Sequence, residues 1–233
     1  MKKILFITLS ILLFSCQKES KSSFDNVRDE KLILALKEAY NFSTFDQEPT
    51  PLQKSIITET LSESPNYKTV FSKINLNSMR IYENKDENTT IAMFNFVNSS
   101  DKLFSIKGYF SNKNFIITND FLYGRILEDK ENGKIIITNN NDAILINVAN
   151  GIQSYSTIES QSVEFKAFQM KDCMGNHGGT GFCQRQPGER FSTCYKAEKD
   201  EFCDSFVSCL AVDLLPPVMI LIAAACSCIA TPC

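Results

Sequence analysis

Apolar residues along this chain change their spacing several times, and each change marks a different kind of element. Ile4 to Phe14 is an eleven-residue apolar run, interrupted only by Thr8 and Ser10, behind Lys2 and Lys3, and Gln17 to Ser23 is polar throughout. Val27, Leu32, Ile33, Leu34, Leu36, Ala39 and Tyr40 then recur at helical spacing among charged residues, which predicts an amphipathic helix. Phe42 to Pro51 reads as a loop, and Pro49 and Pro51 can open a second short helix carrying Leu52, Ile56, Ile57 and Leu61. Ser64-Pro65-Asn66 breaks that pattern before Tyr67, Val70, Phe71 and Ile74.

From about Met79 the period becomes two, and polar turns arrive every eight to twelve residues, the signature of antiparallel strands. Nine strands are predicted: Ser78–Glu83, Thr89–Val97, Leu103–Phe110, Asn114–Thr118, Phe121–Glu128, Lys134–Thr138, Ala143–Val148, Ile152–Ile158 and Val163–Phe168. Asn150-Gly151 is a tight hairpin candidate, because Asn-Gly favours positive φ at both central turn residues. Short turns pair neighbours in sequence order, so the expected topology is a meander. A large sheet twists and buries a face, and the N-terminal helix is the obvious filler. The expected fold class is therefore α+β: N-terminal helices packed on an antiparallel β-meander, as a curved sheet or incomplete barrel, with a small disulfide-rich helical C-terminal module. A β-sandwich is the alternative. If the helix docks through Leu34, Leu34→Asp is expected to unfold the domain.

The tail has three parts. Lys171 to Ser192 is a glycine-rich loop, Thr193 to Val212 has a helical pattern, and Val218 to Ala225 is a continuous apolar run behind Pro216-Pro217. That last run is too short to span a bilayer core needing roughly 20 residues, and reads as a buried helix folded back on the preceding one. Folding back would bring Cys209 toward Cys226, and Cys203 toward Cys228 or Cys233. Glu198, Lys199, Asp200, Glu201 and Asp204 read as a solvated helix face with first-turn acids near the helix dipole.

The amino terminus is an address. A basic start, an eleven-residue apolar run and a small residue at position 15 describe an export signal. Leu13-Phe14-Ser15-Cys16 resembles the lipobox of bacterial lipoproteins, and the resemblance covers the signal alone. It implies that Cys16 becomes a lipidated first residue, giving a membrane partner through its acyl chains. Gln17-Lys18-Glu19-Ser20 is similar to the charged tetrads behind the lipidated cysteine in surface lipoproteins of the Bacteroidota, and a plain flexible tether is the other reading. The resemblance implies an outer-membrane location facing the periplasm or the cell surface. The expected organisation is signal 1–15, lipidated tether 16–23, helix-plus-meander domain 24–170 and cysteine-rich module 171–233.

Composition narrows the function. The chain has 233 residues with 24 basic and 27 acidic side chains; without Lys2 and Lys3 the balance is 22 to 27, or −5. Such a dispersed, mildly acidic mixture argues against nucleic-acid binding. Setting Cys16 aside leaves Cys173, Cys183, Cys194, Cys203, Cys209, Cys226, Cys228 and Cys233, an even set in a chain expected to leave the cytosol, and all eight are disulfide candidates. Eight cysteines allow 105 connectivities. His177, the one histidine, lies between Cys173 and Cys183, but the cysteine spacings do not match structural zinc, and a nucleophilic cysteine needs a free thiolate beside a base. The Gly175 to Gly181 loop lacks the Gly-Lys-Ser/Thr ending of a phosphate loop, and no Gly-x-Ser-x-Gly elbow occurs. Acid pairs such as Asp86 with Glu87 and Asp129 with Glu131 fall in predicted turns, where they rarely face each other across a cleft. The sequence therefore nominates no catalytic residue, metal or cofactor. It leads to a non-catalytic binding or envelope component with a possible envelope or surface protein partner. The alternatives are a carrier of a released cysteine-rich tail and a hydrolase built on turn carboxylates.

Overall fold

The computed structural model describes residues 32–128, 132–139, 142–150, 152–159, 182–202 and 215–230. Its centre is one open antiparallel sheet of eight strands in the order β1 to β8. The strands are β1 (Thr44–Gln47), β2 (Arg80–Asn84), β3 (Thr89–Phe96), β4 (Ser99–Ser111), β5 (Asn114–Leu127), β6 (Gly133–Asn139), β7 (Asp142–Ala149) and β8 (Ile152–Glu159). The α+β class and the meander hold, as a single sheet and not a two-sheet sandwich. Asn88, Asn112 and Asn150 take positive φ at hairpin turns, a conformation asparagine tolerates better than most residues.

Two expectations about strands change. β1 forms inside the stretch read as a loop, because Thr44 and Gln47 find partners in Glu83 and Ile81 of β2. The predicted strands 114–118 and 121–128 are one strand, β5. A bulge absorbs the interruption: Lys107 pairs Asn119 while Gly108 pairs Ile117, leaving Thr118 to donate its hydroxyl to the Lys107 carbonyl at 3.1 Å. Gly108 is required there, since a Cβ would lie 2.2 Å from the Ile116 carbonyl oxygen. The predicted strand 163–168 lies outside the described residues.

Helix α1 covers residues 32–39. α2 (Pro51–Glu63) begins where the prolines predict, with Thr50 and Gln53 closing a reciprocal capping box that satisfies two otherwise orphaned backbone N–H groups. α3 (Lys68–Phe71) follows, then α4 (Phe191–Glu201) and α5 (Pro216–Cys226).

The sheet has helices on both faces, and this decides its burial pattern. On one face Ile57 and Leu61 of α2 pack with Phe94, Phe104, Ile106 and Phe115. On the other, Leu36 and Tyr40 share a core with Met93, Tyr123, Ile137, Ile146 and the apolar residues of α5. Residues 103–108 of β4 are consequently buried without alternation. The predicted filler, the N-terminal helix, thus shares its role with the tail: Val218 to Cys226 are all buried, and eleven residues are half a membrane span. No helix among the described residues is long and apolar enough to cross a membrane.

Leu34 does not dock. Leu36 and Tyr40 are buried with Leu32 and Ala39 packed alongside, a stripe at i, i+4, i+7 and i+8, while Leu34 is 55 % exposed. Leu34→Asp is therefore expected to change stability by no more than about 0.5 kcal/mol, read as an unaltered denaturation midpoint.

Candidate binding groove and buried polar clusters

Among the described residues two disulfides close in the tail, and they correct the expected pairing. Cys226 joins Cys194, not Cys209, and Cys228 joins Cys183, not Cys203. The reason lies in what α5 packs on. It contacts α4 near the start of that helix, where Cys194 is buried, and the chain at 182–185 runs beside the end of α5. Gln184 N donates to Ala225 O at 3.0 Å and Ala230 N donates to Arg185 O at 2.9 Å, which places Cys183 against Cys228. Bridges spanning 45 and 32 residues of sequence each stabilise by roughly 2–4 kcal/mol. Cys16, Cys173, Cys203, Cys209, Cys233, His177, the 175–181 loop and the acids Asp129 and Glu131 lie outside the described residues.

Charged residues read as solvated are in part buried. Glu198 and Lys199 of α4 are 2 % and 0 % exposed, whereas Asp200 and Glu201 face solvent as expected. Tyr40 donates its hydroxyl to Glu198 at 3.2 Å, and Lys199 bonds the Tyr155 hydroxyl and the Gln153 side-chain carbonyl of β8. Burial, and then the Glu198 charge, hold the Tyr40 phenol well above its ordinary range. These contacts fasten α4 to α1 and β8.

Lys107 of β4 forms a second buried cluster. Its ammonium is 2.8 Å from Cys228 Sγ and 3.4 Å from Ala224 O, and stands 4.7 Å from the Phe182 ring centroid. Burial lowers its pKa to about 8, against a smaller upward pull from Glu87. Glu87 also accepts the Phe182 N–H at 2.7 Å, while the adjacent Asp86 accepts from Asn41. The turn acids thus fix local structure. Among the described residues no three His, Cys, Asp or Glu side chains assemble as a metal site.

The opposite face offers a different kind of site. Among the described residues, α2 and α3 cover β2 to β5 only in part, and none of the described elements covers the outer face of β5 and β6 beyond the end of α3. A groove of about 760 Å³ lies there, within the ordinary range for small-ligand pockets. Leu122 and Ile126 of β5 and Ile136 of β6 face it, 41 %, 66 % and 37 % exposed, and Phe96 and Val97 close one side. Gly124 lies at the middle of its floor, paired with Lys102 on one side and Ile136 on the other. Nothing comes within 4 Å of where its Cβ would be, so the missing side chain is open space. Glycine inside a strand weakens it and marks a place where something approaches the backbone closely.

Sequence reasoning assigned these residues to strands but not to a site. The signal was present: Phe121, Leu122, Tyr123 and Ile126 are apolar on both parities of β5 around a glycine, more than one buried face requires. Comparison with protein-family models, with curated proteins and with solved structures gave no match for this chain.

Proposed function

We propose that this protein is an extracytoplasmic lipoprotein, anchored through Cys16 to the outer membrane, that acts without catalysis by binding a ligand or envelope partner on the open face of its sheet. The observation that carries the binding reading is the groove around Gly124, where Leu122, Ile126 and Ile136 are exposed side by side around open space. Isolated exposed apolar residues are ordinary, but a contiguous set around a gap marks an interaction surface. The two closed disulfides support an oxidising compartment, in keeping with export. Burial of α5 in the sheet's core weighs against a tail made for release, since release would strip that face bare.

Intact mass spectrometry of the native protein, unreduced and alkylated, tests the anchor. The expected mass lacks residues 1–15 and carries acyl chains on Cys16, with Cys183, Cys194, Cys226 and Cys228 unalkylated. A mature chain with an unmodified Cys16, or one retaining the signal, would overturn the anchoring.

A further inference from the structure

Among the described residues the charges that rim the groove are of one sign: Lys73 and Lys102 line it and no carboxylate does, although acids outnumber bases in the chain as a whole. Arg125 alternates with Gly124 and Ile126, pairs across the ladder with Ile135 of the opposite core, and is compensated by Asp101 at 2.9 Å. Lys73 and Lys102 are exposed and have no carboxylate partner among the described residues. Lys102 is also the cross-strand neighbour of Gly124, so a cation borders the open floor directly. Apolar floor and cationic rim are the two halves of a site for an amphiphile of negative charge.

We infer that the groove binds a long-chain fatty acid, with the alkyl chain over Gly124 among Leu122, Ile126 and Ile136 and the carboxylate at Lys73 and Lys102. This rests on the reading of the groove as the binding surface. A single chain suits the bounded volume better than a two-chain phospholipid does. A second copy of this protein is disfavoured as occupant, because two such faces meeting would press four lysines together without a carboxylate among the described rim residues.

The test is displacement of the fluorescent fatty acid cis-parinarate from the full chain after delipidation, with oleate and oleyl alcohol as competitors. Oleate is expected to compete at least about tenfold better than oleyl alcohol, and the advantage is expected to shrink as salt rises. Lys73→Gln with Lys102→Gln should remove that advantage and leave oleyl alcohol unchanged. Gly124→Val should abolish binding of both while the melting temperature holds or rises, since its Cβ meets no neighbour. Equal competition by oleate and oleyl alcohol, still blocked by Gly124→Val, would overturn the fatty-acid assignment and keep the groove as the site. Parinarate binding that survives Gly124→Val, or no binding at all, would overturn both. Lysine-dependent binding to phosphatidylglycerol vesicles without binding of free oleate would replace the fatty acid with a membrane surface. A dimer broken by Gly124→Val would replace it with a second copy.

Discussion

Ile220→Asp is expected to abolish the cooperative unfolding transition. Ile220 is fully buried at the centre of α5, between the sheet and α4. Losing the side chain's burial costs roughly 2–3 kcal/mol. A carboxylate in the same place costs several kcal/mol more, because the site is fully removed from water. Against a total stability on the order of 5–15 kcal/mol for a domain, that sum leaves little or no native state. The disulfides from Cys194 and Cys183 keep α5 tethered nearby, so the expected product is a collapsed chain without fixed packing. Thermal and urea denaturation followed by near- and far-ultraviolet circular dichroism would show it, with Ile220→Val as a control costing about 1 kcal/mol. A wild-type midpoint for the aspartate variant would mean that α5 does not occupy the core, and would restore a separable tail.

Lys107→Met is expected to stabilise the protein at pH 7 by about 2–3 kcal/mol. The native Lys107 titrates near pH 8 against an ordinary value of 10.5, so its charged form is disfavoured in the folded state. Below pH 8 both states hold the proton and the full penalty stands. As pH climbs from about 8 toward 10 the native lysine gives up its proton while the unfolded chain keeps it. The unfolded state then binds more protons, so stability rises with pH. Above pH 10 the sign reverses, because burial also raises the phenols of Tyr40, Tyr67 and Tyr82, which stay protonated in the native state while unfolded tyrosines ionise. Glu87 is the charged neighbour that offsets part of the burial penalty, and Cys228, held in its disulfide, does not titrate. Denaturant titrations at pH 7, 8 and 9 with free thiols blocked should show wild-type stability increasing toward pH 9 and Lys107→Met flat over that window. A flat wild-type profile would show that water reaches the Lys107 ammonium.

Both results turn on contacts made across long stretches of sequence, and this is where reading by pattern stops. Alternation from Met79 onward exposes the strands because successive side chains point to opposite faces, and that property belongs to each segment alone. Turn asparagines and the Thr50–Gln53 cap of α2 are likewise settled within four residues. β1 was missed because four residues without clear alternation become a strand only when β2 offers its edge. Leu34 and Leu36 lie on nearly opposite sides of the helix, about 200° apart, and apolar residues occur on both sides, so the position of the sheet chooses between them.

The meander and its turns, the second helix and the buried character of Val218 to Ala225 were legible in the sequence, since each follows from local spacing, dihedral preference or apolar run length. Only the tertiary structure decided that α5 lies in the sheet's core, that Cys226 and Cys228 meet Cys194 and Cys183, and that Glu198, Lys199 and Lys107 are buried. The groove belongs to that second set as well. Gly124 becomes its floor because α2 and α3 cover one half of a sheet face and, among the described residues, nothing covers the other, a matter of how far a helix reaches and not of any residue's preference.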